Sequence, residues 1–354
     1  MHVNHEMLTL VRGAKGWSQR DLADAAQISQ AFLSRIERGT QSTSDQLLAR
    51  FAEVLGCPEE LLAAEAPVQA LTVSCLHHRR RSSTLSAASK RRIEALTHLS
   101  RMTVTGLMAD FDLEPDLELP RGRWYDAEPA TAAAELRNLW KVAEGPIGHV
   151  VRLVEASGVV IMRRPLEAAG QDAVSSWPDG EIPIIVVRGG LSADRARFTI
   201  AHELGHLLMH RVPSDDQERA ADAFASAFLA PAESIRGDLA GLTTAQFPRL
   251  LELKVKWGLS VAALIRRSHD LDIISDRQYR EFQIRLNRLG WRQVEPGTLQ
   301  AEHPRTVDRL IRARQDDGES VEELAALALM TPDAFQRHYL MATQPRRSLR
   351  LEAP

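Results

Sequence analysis

The sequence predicts a mainly helical protein, α+β overall, in which one central domain carries a small sheet. Three observations predict it. Apolar residues recur at three- and four-residue steps over most of the chain, the period of a helix with one buried face. β-branched runs stand out at Val159–Arg163 and Ile184–Val187, which places the strands in the middle of the chain. At 354 residues, with 44% hydrophobic and 26% charged residues, the chain has material for two or three cores. Shifts in composition divide it into an all-α domain at 1–66, a basic linker with a helix at 67–122, a central α+β domain at 123–300 and a helical region at 301–354.

Several classes are set aside early. No run of eighteen apolar residues exists, so no membrane span is expected. The opening Met1-His-Val-Asn-His-Glu6 lacks a basic stretch leading into an apolar one, and two cysteines, Cys57 and Cys75, cannot make a disulfide framework. A cytoplasmic location is therefore expected. The net charge of -3 says nothing for nucleic acid, but its distribution does. Between Pro67 and Thr105 seven Lys/Arg face one acid, Glu94, giving +6, while residues 1–66 carry six bases and nine acids.

Along residues 6–64 the positions Leu8, Val11, Leu22, Ala26, Phe32, Ile36, Leu47, Phe51, Val54 and Leu55 give short helices with brief turns. Ser18 followed by Asp21 is an acidic capping box, Ser29 starts the next helix, and Gly39 stops it. Helices over Gln19–Ala26 and Gln30–Arg38, joined at Gln27-Ile28, have helix-turn-helix spacing. The run from Trp17 to Gly39, with Ser18-Gln19, Leu22-Ala23, Ile28-Ser29 and Ile36-Glu37, resembles the phage-repressor (XRE) type. That resemblance implies a double-stranded DNA operator. Gln30, Ala31, Phe32, Ser34 and Arg35 would face base edges in the major groove, and Gln19 and Arg38 would face phosphates. A small contact surface of this kind calls for a homodimer or for help from the +6 segment. The acidic balance and Phe32 leave a protein-binding use of the same fold open.

In the linker, Leu76–Arg81 forms a basic cluster, with Cys75, His77 and His78 offering metal-ligand atoms. A helix is expected from Ser86 to Met108, its apolar face at Ile93, Leu96, Leu99, Met102 and Leu107, ended by Pro115 and Pro120.

The central domain holds the chemistry. A helix over Ala130–Trp140 precedes the two strands, and turn residues at Ser176–Glu181 between them suit a small antiparallel sheet. Then comes Phe198-Thr-Ile-Ala-His-Glu-Leu-Gly-His-Leu-Leu-Met-His210. His202 and His206, four apart, are displaced by only ~40° around a helix. Both imidazoles reach one metal ion, and Glu203 reaches a water on it, the H-E-x-x-H arrangement of zinc peptidases. A third ligand comes from elsewhere. On Glu218–Leu229 the apolar face at 221, 224, 225, 228 and 229, extended back one turn, lands on Glu218. A carboxylate turned inward is favourable beside a cation; the alternative is a helix-start carboxylate satisfied by backbone amides. Asp222 is placed to hydrogen-bond a ligating imidazole. His210 lies two turns from His202, too far for a shared ion, and suits a supporting or surface role.

The run Arg197–His210, with Glu218-x-x-Ala-Asp-x-Phe-Ala-x-x-Phe-Leu-Ala-Pro231, Trp257–Arg267 and Gly290–Pro296, resembles the ImmA/IrrE metallopeptidases over about residues 70–300. The resemblance implies a zincin-like fold and one Zn²⁺ per chain (another divalent transition metal being possible). His202, His206 and Glu218 become the ligands and Glu203 the catalytic base. Asp222 departs from the family's usual Asn. Ile184, Ile185, Val186 and Val187 are the expected edge strand for an extended peptide. The implied activity is hydrolysis of a protein substrate, an XRE-type repressor or this chain itself, controlling gene expression in a stress or mobile-element response. The alternative is a non-proteolytic DNA-binding regulator whose zincin-like domain senses a metal or ligand. An intact Glu203 argues against it, because a binding-only site gains nothing from a base.

Past the centre, the period gives helices over Phe247–His269 and Ser275–Leu289, with a boundary at Pro296-Gly297. Ser320–Phe335 carries a faint helix-turn-helix echo; completing a core or forming a dimer surface is the simpler expectation.

Overall fold

The computed structural model describes residues 2–64, 86–125, 127–166, 171–210, 216–292 and 294–341. The Arg79–Arg81 cluster, Cys75, His77 and His78 lie outside the described residues. In chain order the helices are α1 (His5–Lys15), α2 (Gln19–Ala25), α3 (Gln30–Glu37), α4 (Asp45–Leu55), α5 (Glu59–Ala63), α6 (Ala87–Leu107), α7 (Pro129–Leu139) and α8 (Val150–Glu155). Strands β1 (Val160–Arg164), β2 (Ala173–Ser176) and β3 (Ile184–Arg188) follow. Then come α9 (Ala193–Met209), α10 (Gln217–Leu229), α11 (Ala232–Leu239), α12 (Phe247–Trp257), α13 (Val261–Asp270) and α14 (Asp276–Arg288). Helices α15 (Thr306–Asp316), α16 (Val321–Leu327) and α17 (Pro332–Phe335), the last running into a π-turn over Gln336–Leu340, are the last of the described elements. The fold is mainly helical with one three-stranded sheet. Among the described residues no helix is long and apolar enough to cross a membrane.

These elements form two compact units. The first takes the described residues within 1–70, 91–112 and 306–354, and the second those within 71–90 and 113–305. In sequence, the second unit is inserted into the first.

The first unit is built on α1–α5 around Met7, Leu8, Leu22, Leu33, Ile36, Leu48 and Phe51, all buried. Its local signals act as the sequence predicts. Ser18 and Asp21 close a reciprocal capping box, Ser29 accepts from the Phe32 amide, and Gly39 takes φ 69. The α2–α3 turn places Gln27 at φ 55. Leu99 and Met102 of α6 pack on the same core.

The second unit buries a larger core that includes Trp257, Phe224, Phe228 and Phe282. Its sheet has the order β1-β3-β2, with β1 parallel and β2 antiparallel to β3. It is therefore a mixed sheet and not the small antiparallel one expected. The strand at Ile184–Val187 is also not an edge strand. All four residues are buried, and β3 is hydrogen-bonded on both sides, to β1 through Val160↔Ile184 and to β2 through Ser176↔Ile184. A continuous apolar run suits a strand covered on both faces, which is a central one. Gly258, at φ 64, breaks the expected helix over 247–269 into α12 and α13.

Candidate metal centre and DNA-reading face

Helix α9 carries twelve buried residues out of seventeen, so Asp194, Arg197, His202, Glu203 and His206 are held inside the unit. Its approach to α10 depends on Gly205. A Cβ there would stand 3.0 Å from Phe224 Cδ1 and 3.4 Å from Ala221 Cα, so that the phenylalanine ring would have to give way. The small residue between Glu203 and His206 thus brings Glu218, on the first turn of α10, against the two histidines.

Three ligand atoms converge. His202 Nε2 and His206 Nε2 are 3.0 Å apart; Glu218 Oε1 lies 3.2 Å from His206 Nε2 and Glu218 Oε2 3.8 Å from His202 Nε2. Ligand atoms around a tetrahedral zinc ion stand about 3.3 Å apart, given zinc–nitrogen bonds of about 2.0–2.1 Å. Two imidazole nitrogens and a carboxylate, each offering one atom within 4.8 Å of the others, are a donor set that fits such an ion.

The surroundings orient these groups. Asp222 Oδ1 is 2.8 Å from His202 Nδ1, so the imidazole proton sits on Nδ1 and the Nε2 lone pair faces the cluster. His210, at the C-terminal cap of α9, places Nδ1 3.0 Å from His206 Nδ1, and Gln217 Nε2 lies 3.4 Å from the same atom. Burial depresses the pKa of both histidines, with different net results. For His202 the Asp222 hydrogen bond and the nearby carboxylates outweigh burial, and its pKa is raised. For His206 burial prevails and its pKa is lowered, which favours a neutral, metal-ready imidazole.

Glu203 is 2% exposed, and Ser175 Oγ on β2 donates a 2.6 Å hydrogen bond to its Oε2. Oε1 is left to accept a proton. Sequence reasoning missed Ser175, which is 28 residues from Glu203 and on a four-residue strand without alternation. The pairing of β2 with β3 brings it in, and no local pattern announces that.

The reading face of the first unit is arranged differently. Gln30, Ala31 and Arg35 are exposed on α3 and Phe32 and Ser34 half-buried, while Leu33 and Ile36 anchor the helix. Arg35 lies over the Phe32 ring at 5.7 Å. Gln19 Nε2 donates to Glu37 Oε2 at 2.7 Å, in a network with Arg12, and Arg38 Nε donates to the Ser34 carbonyl. Gln19 is thus held in place, and Arg38 stays exposed at the end of α3.

Two comparisons bear on this arrangement. A family model described as the IrrE N-terminal-like domain, a peptidase family, matches residues 154–269, and one described as helix-turn-helix matches residues 8–62. The chain joins an XRE-type helix-turn-helix to an ImmA/IrrE-type domain. No curated protein matches the chain. The helix-turn-helix match runs from within α1 through most of α5. The ImmA/IrrE-type match covers the sheet, α9 and α10, so every residue of the histidine–glutamate cluster falls within it. The chain is accordingly of DNA-binding regulator class with a metallopeptidase-family domain.

Proposed function

We propose that the chain is a cytoplasmic transcriptional regulator and a zinc-dependent endopeptidase, cutting a repressor-like protein, in trans or in itself, to change gene expression under stress or mobile-element induction. The observation that carries this reading is Glu203. Its carboxylate is buried within electrostatic reach of both His202 and His206, with one oxygen held by Ser175 and the other open to take a proton. A site built only to bind a metal has no use for a base held in this way.

His202, His206 and Glu218 would hold the ion, one per chain. When bound, zinc supplies Lewis acidity, which brings water ionisation and carbonyl polarisation within reach of neutral pH. Asp222 fixes the His202 tautomer. Glu203 takes a proton at Oε1 as water adds to the peptide carbonyl and gives it to the leaving amine, while Ser175 keeps the carboxylate from turning away. Of the two strands at the sheet's edges, β2 carries Ser175 and packs on α9, so it replaces Ile184–Val187 as the strand on which an extended peptide would align. The helix-turn-helix in the same chain supports a regulatory substrate, and its operator would be met by Gln30, Ala31, Phe32, Ser34 and Arg35 in each half of a homodimer.

The test is to incubate the zinc-loaded chain and its Glu203→Gln variant with purified XRE-type repressors and alone, reading new termini by mass spectrometry. Cleavage by the wild type alone is expected. Equal silence from both proteins, with regulation intact in the variant, would leave the domain as a metal or ligand sensor.

A further inference from the structure

The C-terminal helices repeat the first module. Gly16 and Gly318, at φ 74 and 94, are 302 positions apart; so are Ser18 and Ser320, each closing a capping box with the residue three later. Gln27 and Leu329, at φ 55 and 52, keep the same displacement, as do the helix-capping Ser29 and Thr331. The turn hydrogen bonds correspond as well. Ile28 N donates to Ala23 O at 3.0 Å and Met330 N to Ala325 O at 2.8 Å; Trp17 N donates to Arg12 O and Glu319 N to Arg314 O. Buried Leu22, Ala23, Ala26 and Leu33 become buried Leu324, Ala325, Ala328 and Phe335. Helices α15, α16 and α17 with its π-turn are thus built like α1, α2 and α3. The helix-turn-helix match ends at residue 62 and leaves them unassigned.

The surfaces of the two copies differ in a consistent direction. Exposed Ala25, Gln27 and Arg38 correspond to half-buried Leu327, Leu329 and Leu340. Leu327 and Leu329 lie in the part of the copy that meets the rest of its unit. A Cβ on Gly106 of α6 would come within 1.8 Å of the Leu327 carbonyl oxygen, Thr103 Oγ1 donates to the Ala328 carbonyl, and Leu329 packs on the core of the first module. Arg314 is 3% exposed and donates from Nε to the Leu107 carbonyl at 2.8 Å. Meanwhile the positions facing phosphate in the first module, Gln19 and Arg38, are Val321 and Leu340 here. Exposed Glu322 and Asp333, on the first turns of α16 and α17, stand where the first module has Arg20 and Ala31, so negative charge replaces a cation and a neutral residue where a phosphate would lie.

We propose that residues 306–340 are a second helix-turn-helix that has exchanged DNA contact for protein contact, clamping the first module through α6. The part concerning DNA rests on the first module's reading of an operator. The clamp explains why the central domain can be inserted between α6 and α15 without dividing the first unit, since segments on both sides of the insertion are needed to complete it.

The experiment uses the full chain and a duplex that the wild type selects from a random-sequence pool. Three variants are compared by duplex affinity, footprint, thermal unfolding and metal content: Gly106→Ala, Leu329→Gln (the residue of the first copy), and Gln336→Ala with Arg337→Ala. A glycine-to-alanine change inside a helix is favoured by helix propensity, so a fall in melting temperature at Gly106 isolates the close approach. Gly106→Ala and Leu329→Gln are expected to lower the melting temperature of the first unit and weaken duplex binding about tenfold, a loss of about 1.4 kcal/mol, with metal content unchanged. The Gln336/Arg337 pair, on the exposed face of the second reading helix, is expected to change neither affinity nor footprint. A shortened footprint and weaker binding from that pair would make the copy a DNA reader and overturn the proposal. So would unchanged melting in both Gly106→Ala and Leu329→Gln. If the wild type selects no duplex, operator reading by the first module fails, and the melting arm alone still decides the clamp.

Discussion

Helices α9 and α3 each present the residues on which a function depends, and they do so in opposite ways. On α9 twelve of seventeen residues are buried, and His202, Glu203 and His206 are part of the packing they act within. On α3 only Leu33 and Ile36 of eight are buried, and the residues that would read DNA carry little of the fold. Changes at the metal centre should therefore affect fold and chemistry together, whereas changes on the reading face should affect binding alone. The metal centre is also a junction of distant segments, since β2 supplies Ser175, α9 the motif and α10 Glu218 and Asp222. The reading face is one short helix.

The strongest break of this comparison is at the buried centre. Removing zinc by chelation, or the third ligand by Glu218→Ala, is expected to abolish proteolysis. It should also remove the stabilisation of the second unit by bound metal, about 4 kcal/mol where free metal stands at a thousand times its Kd. Calorimetry would show the transition of the second unit fall, while that of the first unit stays in place.

A second break lies at the start of α9, away from the ligands. Lys254, 4% exposed in its side chain, bridges Asp194 at 2.8 Å and Glu295 at 2.9 Å. Lys254→Ala leaves two buried carboxylates without their cation and is expected to cost about 3–5 kcal/mol. Burial raises the Asp194 pKa, but the hydrogen bonds from Lys254 and Ser192, the Lys254 charge and the Arg195 amide outweigh it, so the net shift is downward. A carboxyl depressed in the folded state contributes stability above its unfolded pKa of about 3.9, and that stability is lost as pH falls through the folded value. Wild-type stability should therefore decline below about pH 4, and urea titrations across that range should show the decline diminished in Lys254→Ala.

On the exposed side, Gln30→Ala with Arg35→Ala is expected to remove two base-edge contacts worth roughly 1–3 kcal/mol each. Unfolding should change by less than about 0.5 kcal/mol, as for surface substitutions that disturb no buried contact. Fluorescence anisotropy on the selected duplex and denaturant melts on the same samples separate the two effects. A large loss of stability would show α3 to be more embedded than its exposure indicates.

The same contrast explains what could be read from the sequence. The i,i+4 histidines and the inward face of α10 obey helical periodicity, so His202, His206 and Glu218 could be brought together on paper. The starts of α2 and α3 could be placed because Ser18 and Ser29 are capping residues, while the assignment of Gln19 and Gln30–Arg35 to DNA came from the resemblance to the XRE type. Sheet partners have no such local signature. β2 is four residues long and buried throughout, so neither the strand nor Ser175 stood out. Ile184–Val187 was legible as a strand, but its unbroken apolar run marks the middle of a sheet, and reading it as an edge overlooked that. The faint pattern at Ser320–Phe335 became a copy of the first module only through backbone angles, above all the positive φ at Leu329, a residue type that does not announce it.

The smallest of the four effects tests whether the two regions are independent. Ser29 accepts from the Phe32 amide and satisfies one of the four unpaired donors at the start of α3. Ser29→Ala is expected to cost about 1 kcal/mol, which lowers the melting temperature of a small domain by roughly 4–8 °C. The loss falls on the turn that sets Gln30 and Ala31, so operator affinity should weaken by less than it does in the Gln30/Arg35 pair. Metal content and the transition of the second unit should not move, because α3 supplies nothing to the cluster on α9 and α10. If the second transition moves with the first, the two units unfold as one, and the distinction between a buried centre and a separable reading face does not hold.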